Sequence, residues 1–411
     1  MMKKNILKSM KGIFGLAVIG IILFFHSCVE PYTPSTEVFE QVLVVESFLT
    51  SELKHHQVKL SETYRLEDDT VSYVTNANVK VLSDKGERFD YFSAGQGIYL
   101  SVDEYRAEQG VKYQLEIEFQ GKIYRSDEEE ITGVSNLTSV EANRAVDDDG
   151  VLGVAIQANS NSASGDTKFY RYTYEETYKI VSPYTSNQKF ITDEDGFAVL
   201  VDVGPDEERE ICYNTLSSKK GVLSNTNFLN ADNQEDVLIK FIPVTDKKIL
   251  NRYSILVSQL VISGEAYRYF ETLEELSNSE SVFSQNQPGF LNGNIMSVND
   301  PEENVVGYFE VASVSKQRIF FNFTDVFNSD ERPDPTADCE VVRPLTGLGF
   351  EPGDIDFYVS AGLLQYLSDA PPSTDPLNPE GPYNMVPVEC IDCRSIGTPI
   401  KPDFWIEENE N

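Results

Sequence analysis

The chain has 411 residues, with 33 Lys and Arg against 67 Asp and Glu and a formal net charge of −34. So acidic a chain repels nucleic acid and anionic lipid headgroups, which excludes both as charge-driven partners. At 40% hydrophobic and 11% aromatic residues it can still bury a sizeable core, which excludes wholesale disorder.

Lys3, Lys4, Lys8 and Lys11 give a basic start, and residues 1–27 contain no acid. Gly12 to Phe25 follow as an apolar run of 14 residues. A membrane-spanning helix needs about 20 residues, so the run fits a signal-peptide core instead. His26-Ser27-Cys28 comes next, and then polar chain with Val29, Glu30 and Pro31. A small residue before a cysteine at the end of such a core resembles the lipobox of bacterial lipoproteins, although Phe25 stands where Leu is usual. The resemblance implies cleavage before Cys28, diacylglycerol and further palmitate-type acylation on that cysteine, and membrane attachment through lipid. Such attachment is worth about 0.8 kcal/mol per buried methylene. An ordinary secretory signal with a chance cysteine is the alternative. Removing residues 1–27 leaves 29 basic residues against the 67 acids, a charge of −38, so lipid rather than charge must hold the mature chain to a membrane.

Residues 28–38 read as a short lipidated tether, with Pro31 and Pro34. From residue 39 strands begin: Val42 to Phe48, Gln57 to Leu60, Ala77 to Leu82, Ile98 to Leu100 and Val111 to Phe119. Most alternate with period two and are punctuated by Gly-bearing turns, with no helical pattern between them. That pattern predicts a β-sandwich over 39–135, similar to immunoglobulin-like or transthyretin-like modules. The acidic run Asp127 to Glu130 marks its end.

A larger β-rich part follows over 136–411, so the fold class is all-β dominated. Tyr170, Tyr172, Tyr174 and Tyr178 fall on one face of a strand, either as a ligand face that stacks sugars or peptides or, as the favoured reading, as core. Val237 to Ile242, Tyr253 to Val261, Val305 to Ala312 and Arg318 to Phe323 predict further strands. Ala266, Tyr267, Phe270, Leu273 and Leu276 recur at helical spacing behind Ser263, a capping residue, and the helix should end near Ser277-Asn278-Ser279. The Pro- and Gly-rich tail from Asp330 to Asp403 is expected to wrap the surface, pinned by cysteines. Cys212, Cys339, Cys390 and Cys393 favour two disulfides in an exported chain, with three pairings open. Half of a zinc site or a redox motif at Cys390-Ile391-Asp392-Cys393 are the alternatives. Loop-forming Pro387, Gly397 and Pro399 around the motif speak against the redox reading.

A more specific resemblance is carried by an ordered set of segments: Glu175-Glu176-Thr177, Ile211-Cys212-Tyr213, Tyr253 to Val257, Gly289 to Ile295, Val306-Gly307-Tyr308-Phe309, Cys390 to Arg394 and Lys401 to Trp405. The set resembles a family of uncharacterised Bacteroidota lipoproteins defined by a domain of unknown function, over nearly all of the mature chain. Its members are commonly encoded beside TonB-dependent outer-membrane transporters. The resemblance implies an outer-membrane accessory role in nutrient uptake, with the cell surface favoured over the periplasmic face, and carries over no catalytic residue.

Signals of chemistry are few. Only His55 and His56 remain in the mature chain, which disfavours a nucleophilic triad. Neither a Gly-x-Ser-x-Gly elbow nor a phosphate-cradling loop occurs, so no cofactor and no metal is expected. Asp147 to Gly150 and Asp193 to Gly196 resemble pieces of calcium loops, but Ala145 and Ile191 occupy their first ligand positions, so hairpin turns are the expectation. Asp69-Thr70-Val71 resembles a short O-glycosylation motif. Two functions follow. One is a non-enzymatic binding subunit of a TonB-dependent transporter with unknown ligand; the other is an adhesive surface lipoprotein that binds glycans or cells. A glycosidase-type carboxylate pair is the distant third.

Overall fold

The computed structural model describes residues 41–63, 71–162, 168–226, 233–278, 291, 293–347, 352–377 and 379–407. The apolar leader, Cys28, and Asp69 and Thr70 of the glycosylation-like triplet lie outside the described residues. The elements below belong to one unit, Val42–Thr63 with Thr70–Asn411.

Eight strands come first: β1 (Leu43–Thr50), β2 (Gln57–Glu62), β3 (Ser72–Tyr73), β4 (Asn78–Ser83), β5 (Arg88–Gly95), β6 (Ile98–Ser101), β7 (Tyr113–Phe119) and β8 (Lys122–Ser126). Period-two patterning decides their faces. In β7, Tyr113, Leu115, Ile117 and Phe119 are buried while Glu118 points to solvent. β5 pairs with β4 through Arg88–Asp90 and with β6 through Tyr91–Gly95, so a single sheet bends around one core. Val45, Leu60, Val81, Leu115 and Ile117 fill that core, joined from far along the chain by Ile295, Phe309 and Val311.

Nine more strands precede the helix: β9 (Asn136–Val146), β10 (Leu152–Asn161), β11 (Phe169–Val181), β12 (Gln188–Thr192), β13 (Ala198–Asp202), β14 (Ile211–Ser217), β15 (Val222–Asn225), β16 (Asn233–Pro243) and β17 (Tyr253–Val261). Then come helix α1 (Gly264–Asn278), β18 (Ile295–Ser297) and β19 (Val305–Phe321). The two strands expected at 305–312 and 318–323 are one strand, and Phe323 opens the short helix α2 (Phe323–Val326). The first half of β19 pairs in parallel with β1, and its second half pairs antiparallel with β17. A 14-stranded sheet therefore runs β14-β11-β17-β19-β1-β2-β6-β5-β4-β7-β8-β18, with β15 beside β11 and β3 beside β2, and crosses residue 135. The three-stranded sheet β16-β10-β9 packs a second core with β11, β17 and β19, where Ile156, Tyr172, Ile255 and Phe321 meet.

The tail is more ordered than a surface wrap. It contains α3 (Asp354–Ser360) and a hairpin of β20 (Leu364–Asp369) with β21 (Tyr383–Pro387). Cys212 on β14 is bonded to Cys393, and Cys339 to Cys390. Each cysteine of the Cys390–Cys393 motif thus has its own distant partner. Neither cysteine of the motif is left as a thiolate for zinc, and the motif is not bridged within itself as a redox pair must be. Asp392, between them, takes Arg209 Nε at 2.9 Å and Arg394 Nη2 at 2.7 Å. Burial alone raises its pKa, but these hydrogen bonds outweigh burial and hold the carboxyl below the usual range.

Candidate ligand-binding cleft

Helix α1 positions the site. Ser263 Oγ accepts from Ala266 N at 3.0 Å, the side-chain cap that sequence predicts. The apolar stripe then turns toward the sheet, where Tyr269 and Phe270 pack on Tyr308 of β19 with ring centroids 5.3 and 6.4 Å away. Strand alternation puts Glu46 and Phe48 of β1 on this same side, opposite Val45 and Leu49, which fill the first core. Between helix and sheet lies a cleft of about 370 Å³ walled by Phe48, Leu223, Phe270 and Leu273. The loop from Ser218 to Gly221 forms one rim, carrying exposed Lys219 and Lys220. Glu46 and Glu274 face them across the opening.

Arg171 is the unusual group. It projects from β11 into the cleft, and its guanidinium carbon lies 4.7 Å from the Phe48 ring centre and 4.3 Å from that of Phe270. A Cβ on Gly221 would stand 2.6 Å from Arg171 Nε, so a side chain there would have to displace Arg171. The backbone of Arg171 is held in the sheet between Leu223 and Leu260, but its guanidinium makes no hydrogen bond and no ion pair with another described residue. Burial lowers its pKa, partly offset by the fields of Glu310 and Glu46. Glu310, beside Phe48 in the β1–β19 register, is wholly buried and neither of its carboxyl oxygens has a hydrogen-bond partner. Burial pushes it up to about 8, against the pull of Arg171. Tyr308 on the same face donates to Glu129 at 2.8 Å, and Asn294 Nδ2 donates to the same oxygen at 2.9 Å. Unpartnered buried polar groups are rare in folded proteins and cluster where function requires them.

The model of the domain of unknown function DUF4249 matches residues 29–318, well over half of the chain. The chain belongs to the DUF4249 family. The match takes in the cleft and all of its walls. It does not reach the tail, so Cys390 to Arg394 and Lys401 to Trp405 lie outside the matched stretch and the likeness is shorter than the motif set implied. Comparison with curated proteins finds no match.

Within the DUF4249 stretch, two of the motif segments meet. A Cβ on Gly293 would fall 1.5 Å from Gly307 O, and Asn294 pairs with the Phe309 backbone at 2.8 and 2.9 Å. Close backbone passage accounts for both glycines. The Ile211-Cys212-Tyr213 segment meets the tail instead, through the Cys393 disulfide and an edge contact between Tyr213 and Trp405 at 5.1 Å.

The tyrosine strand of this DUF4249 chain is core. Tyr170 and Tyr172 are fully buried, which removes them as a ligand face. Tyr174 and Tyr178 are half-buried, and Lys240 and Lys248 lie over their rings at 4.9 and 5.9 Å. Between them Glu176 is buried but satisfied: it pairs with Lys240 Nζ, takes Lys248 Nζ at 3.1 Å and accepts from Tyr253 Oη at 2.6 Å. His56 is buried with Nε2 2.9 Å from Tyr105 O, and neither histidine lines the cleft. The two calcium-like segments are hairpin turns. Asp147 Oδ1 accepts from Asp149 N and Val151 N, and Asp193 Oδ1 accepts from Asp195 N and Phe197 N. Gly150 and Gly196 take positive φ there. Sequence reasoning missed Arg171; its one cue is a cation set among alternating tyrosines.

Proposed function

We propose that the protein is a lipid-anchored, non-enzymatic binding subunit of a TonB-dependent outer-membrane transporter, facing the cell surface. The observation that carries this reading is the leader: a basic start, a short apolar core and Cys28 at its end, followed by a strand-rich body. Supporting it is a preformed cleft with aromatic and aliphatic walls and a charged rim, a concave site that can enclose a small ligand. Its rim carboxylates do not resemble an acid–base pair, because Glu46 and Glu274 are both exposed and Glu46 already pairs with Lys59 at 3.0 Å.

The test is a mild-detergent pull-down from native membranes through a C-terminal tag, with partners read by mass spectrometry. A stoichiometric TonB-dependent barrel is the expected result. Recovery of the lipoprotein alone, from membranes in which an unrelated barrel complex survives the same detergent, would overturn the subunit reading and favour the adhesive one. Cys28→Ser is expected to move the protein from the membrane fraction to the soluble one. Digestion by protease added to intact cells reports the face it occupies.

A further inference from the structure

Around the cleft the formal charges nearly cancel: Lys219 and Lys220 stand against Glu46 and Glu274 at the rim. Arg171 is the charge left over, and it sits deepest. Phe48 and Phe270 stack on each other with ring centroids 5.9 Å apart and together flank its guanidinium, and no described residue meets its planar N–H donors. A carboxylate is the anion that a single guanidinium matches in charge and in two-pronged geometry. A phosphate brings more charge than one cation offsets, in a chain already at −34. Glu310 does not take the part of that anion: burial disfavours its charged form, and its oxygens make no hydrogen bond to Arg171. Leu223, the cross-strand neighbour of Arg171, together with Leu273 and Tyr269 adds apolar wall, and the volume suits a ligand of modest size.

We propose that this cleft binds a small carboxylate with an apolar body, its anionic end on Arg171 and its body between α1 and β1. The inference deepens the binding-subunit reading by naming the ligand's chemistry. The shared chemistry can come from a peptide C-terminus or from a free aryl or alkyl acid.

The experiment titrates the full lipoprotein in nanodiscs, by calorimetry, with N-acetyl-leucyl-phenylalanine, with its C-terminal amide and with 4-phenylbutyrate, empty nanodiscs serving as the blank. At least one acid should bind, and the peptide acid, if it binds, at least tenfold more tightly than its amide. Binding by the peptide alone points to peptide termini, and binding by phenylbutyrate alone points to free acids. Leu273→Glu changes an exposed wall position and should abolish binding with the unfolding midpoint unchanged. Arg171→Gln should make acid and amide equivalent; if that variant does not fold, the acid–amide comparison on the unaltered protein still decides. Equal binding of acid and amide, or no binding of either acid to folded protein, overturns the proposal. The titration reads the cleft and the pull-down reads the partner, so each can fail without the other.

Discussion

Two buried carboxylates, Glu176 and Glu310, lie on opposite faces of the same sheet and have opposite fates. On the tyrosine face, Glu176 is met by Lys240, Lys248 and Tyr253, and these partners hold its pKa below the usual range despite burial. On the helix face, Glu310 has no hydrogen-bond partner, and burial pushes it up to about 8. The first arrangement is what a folded interior requires of any charge it encloses. The second costs stability without return to the fold, and it lies next to the cleft. The two carboxylates thus separate a charge that the fold has built partners for from one that it has not.

That contrast can be broken most sharply at Glu176. Glu176→Gln leaves two partly buried lysines without their counter-charge and should cost roughly 3–5 kcal/mol in urea unfolding. A loss under about 1 kcal/mol would show that the network contributes little net stability. At Glu310 the sign reverses. Between pH 4.5 and about 8 the unfolded chain has released this proton while the folded chain keeps it, so stability falls as pH rises through the window. The groups whose charges act on it there are Arg171 and Glu129. Glu310→Gln removes the slope and should stabilise the protein by roughly 5 kcal/mol at pH 9 and by no more than about 1 kcal/mol at pH 5. Equal stability of mutant and parent at pH 9 would mean that Glu310 is ionised at little cost.

His56, in the region of the first core, sharpens the comparison from the acid side. Burial, helped by the charge of Lys54, lowers its pKa from 6.5 to about 4. The unfolded chain therefore binds a proton that the folded chain refuses, and stability is lost as pH falls through that interval, by roughly 2–3 kcal/mol. His56→Gln should flatten this limb in a pH series of denaturation midpoints. The smallest effect belongs to the exposed pair Lys85–Glu108 at 2.7 Å: Lys85→Ala should leave the midpoint where it was, since solvent screens such pairs. A clear shift there would argue that surface charge matters more in this acidic chain than the buried network does.

How much of this is legible without coordinates depends on the range of the interaction. Helix α1 is readable because its cap and its apolar stripe lie within 16 residues of each other, and β17 because it is a short, β-branched and aromatic run buried along most of its length. β19 reads as two strands because Ser313, Ser315, Lys316 and Gln317 interrupt its apolar residues; in the fold they mark the passage from one core to the next. The disulfide pairing is not readable, since four cysteines admit three connectivities. Arg171 hides for a similar reason. Phe48 and Phe270, which give it meaning, come from distant parts of the chain, and its own strand shows only an alternation into which it fits.

The pairing of β1 with β19 also governs when this protein can finish folding. Ser51 Oγ accepts from Val314 N across 263 residues of chain, and the whole of β1 waits for the same partner. Contacts of such sequence separation close late, because the entropy of the intervening loop must be overcome before they give anything back. A chain emerging N-terminus first therefore presents β1 with one open edge until about three quarters of it has arrived. An open hydrophobic edge is a template for unwanted pairing. Holding that strand in reserve is work for a chaperone, and slow, aggregation-prone refolding from denaturant is the laboratory form of the same constraint.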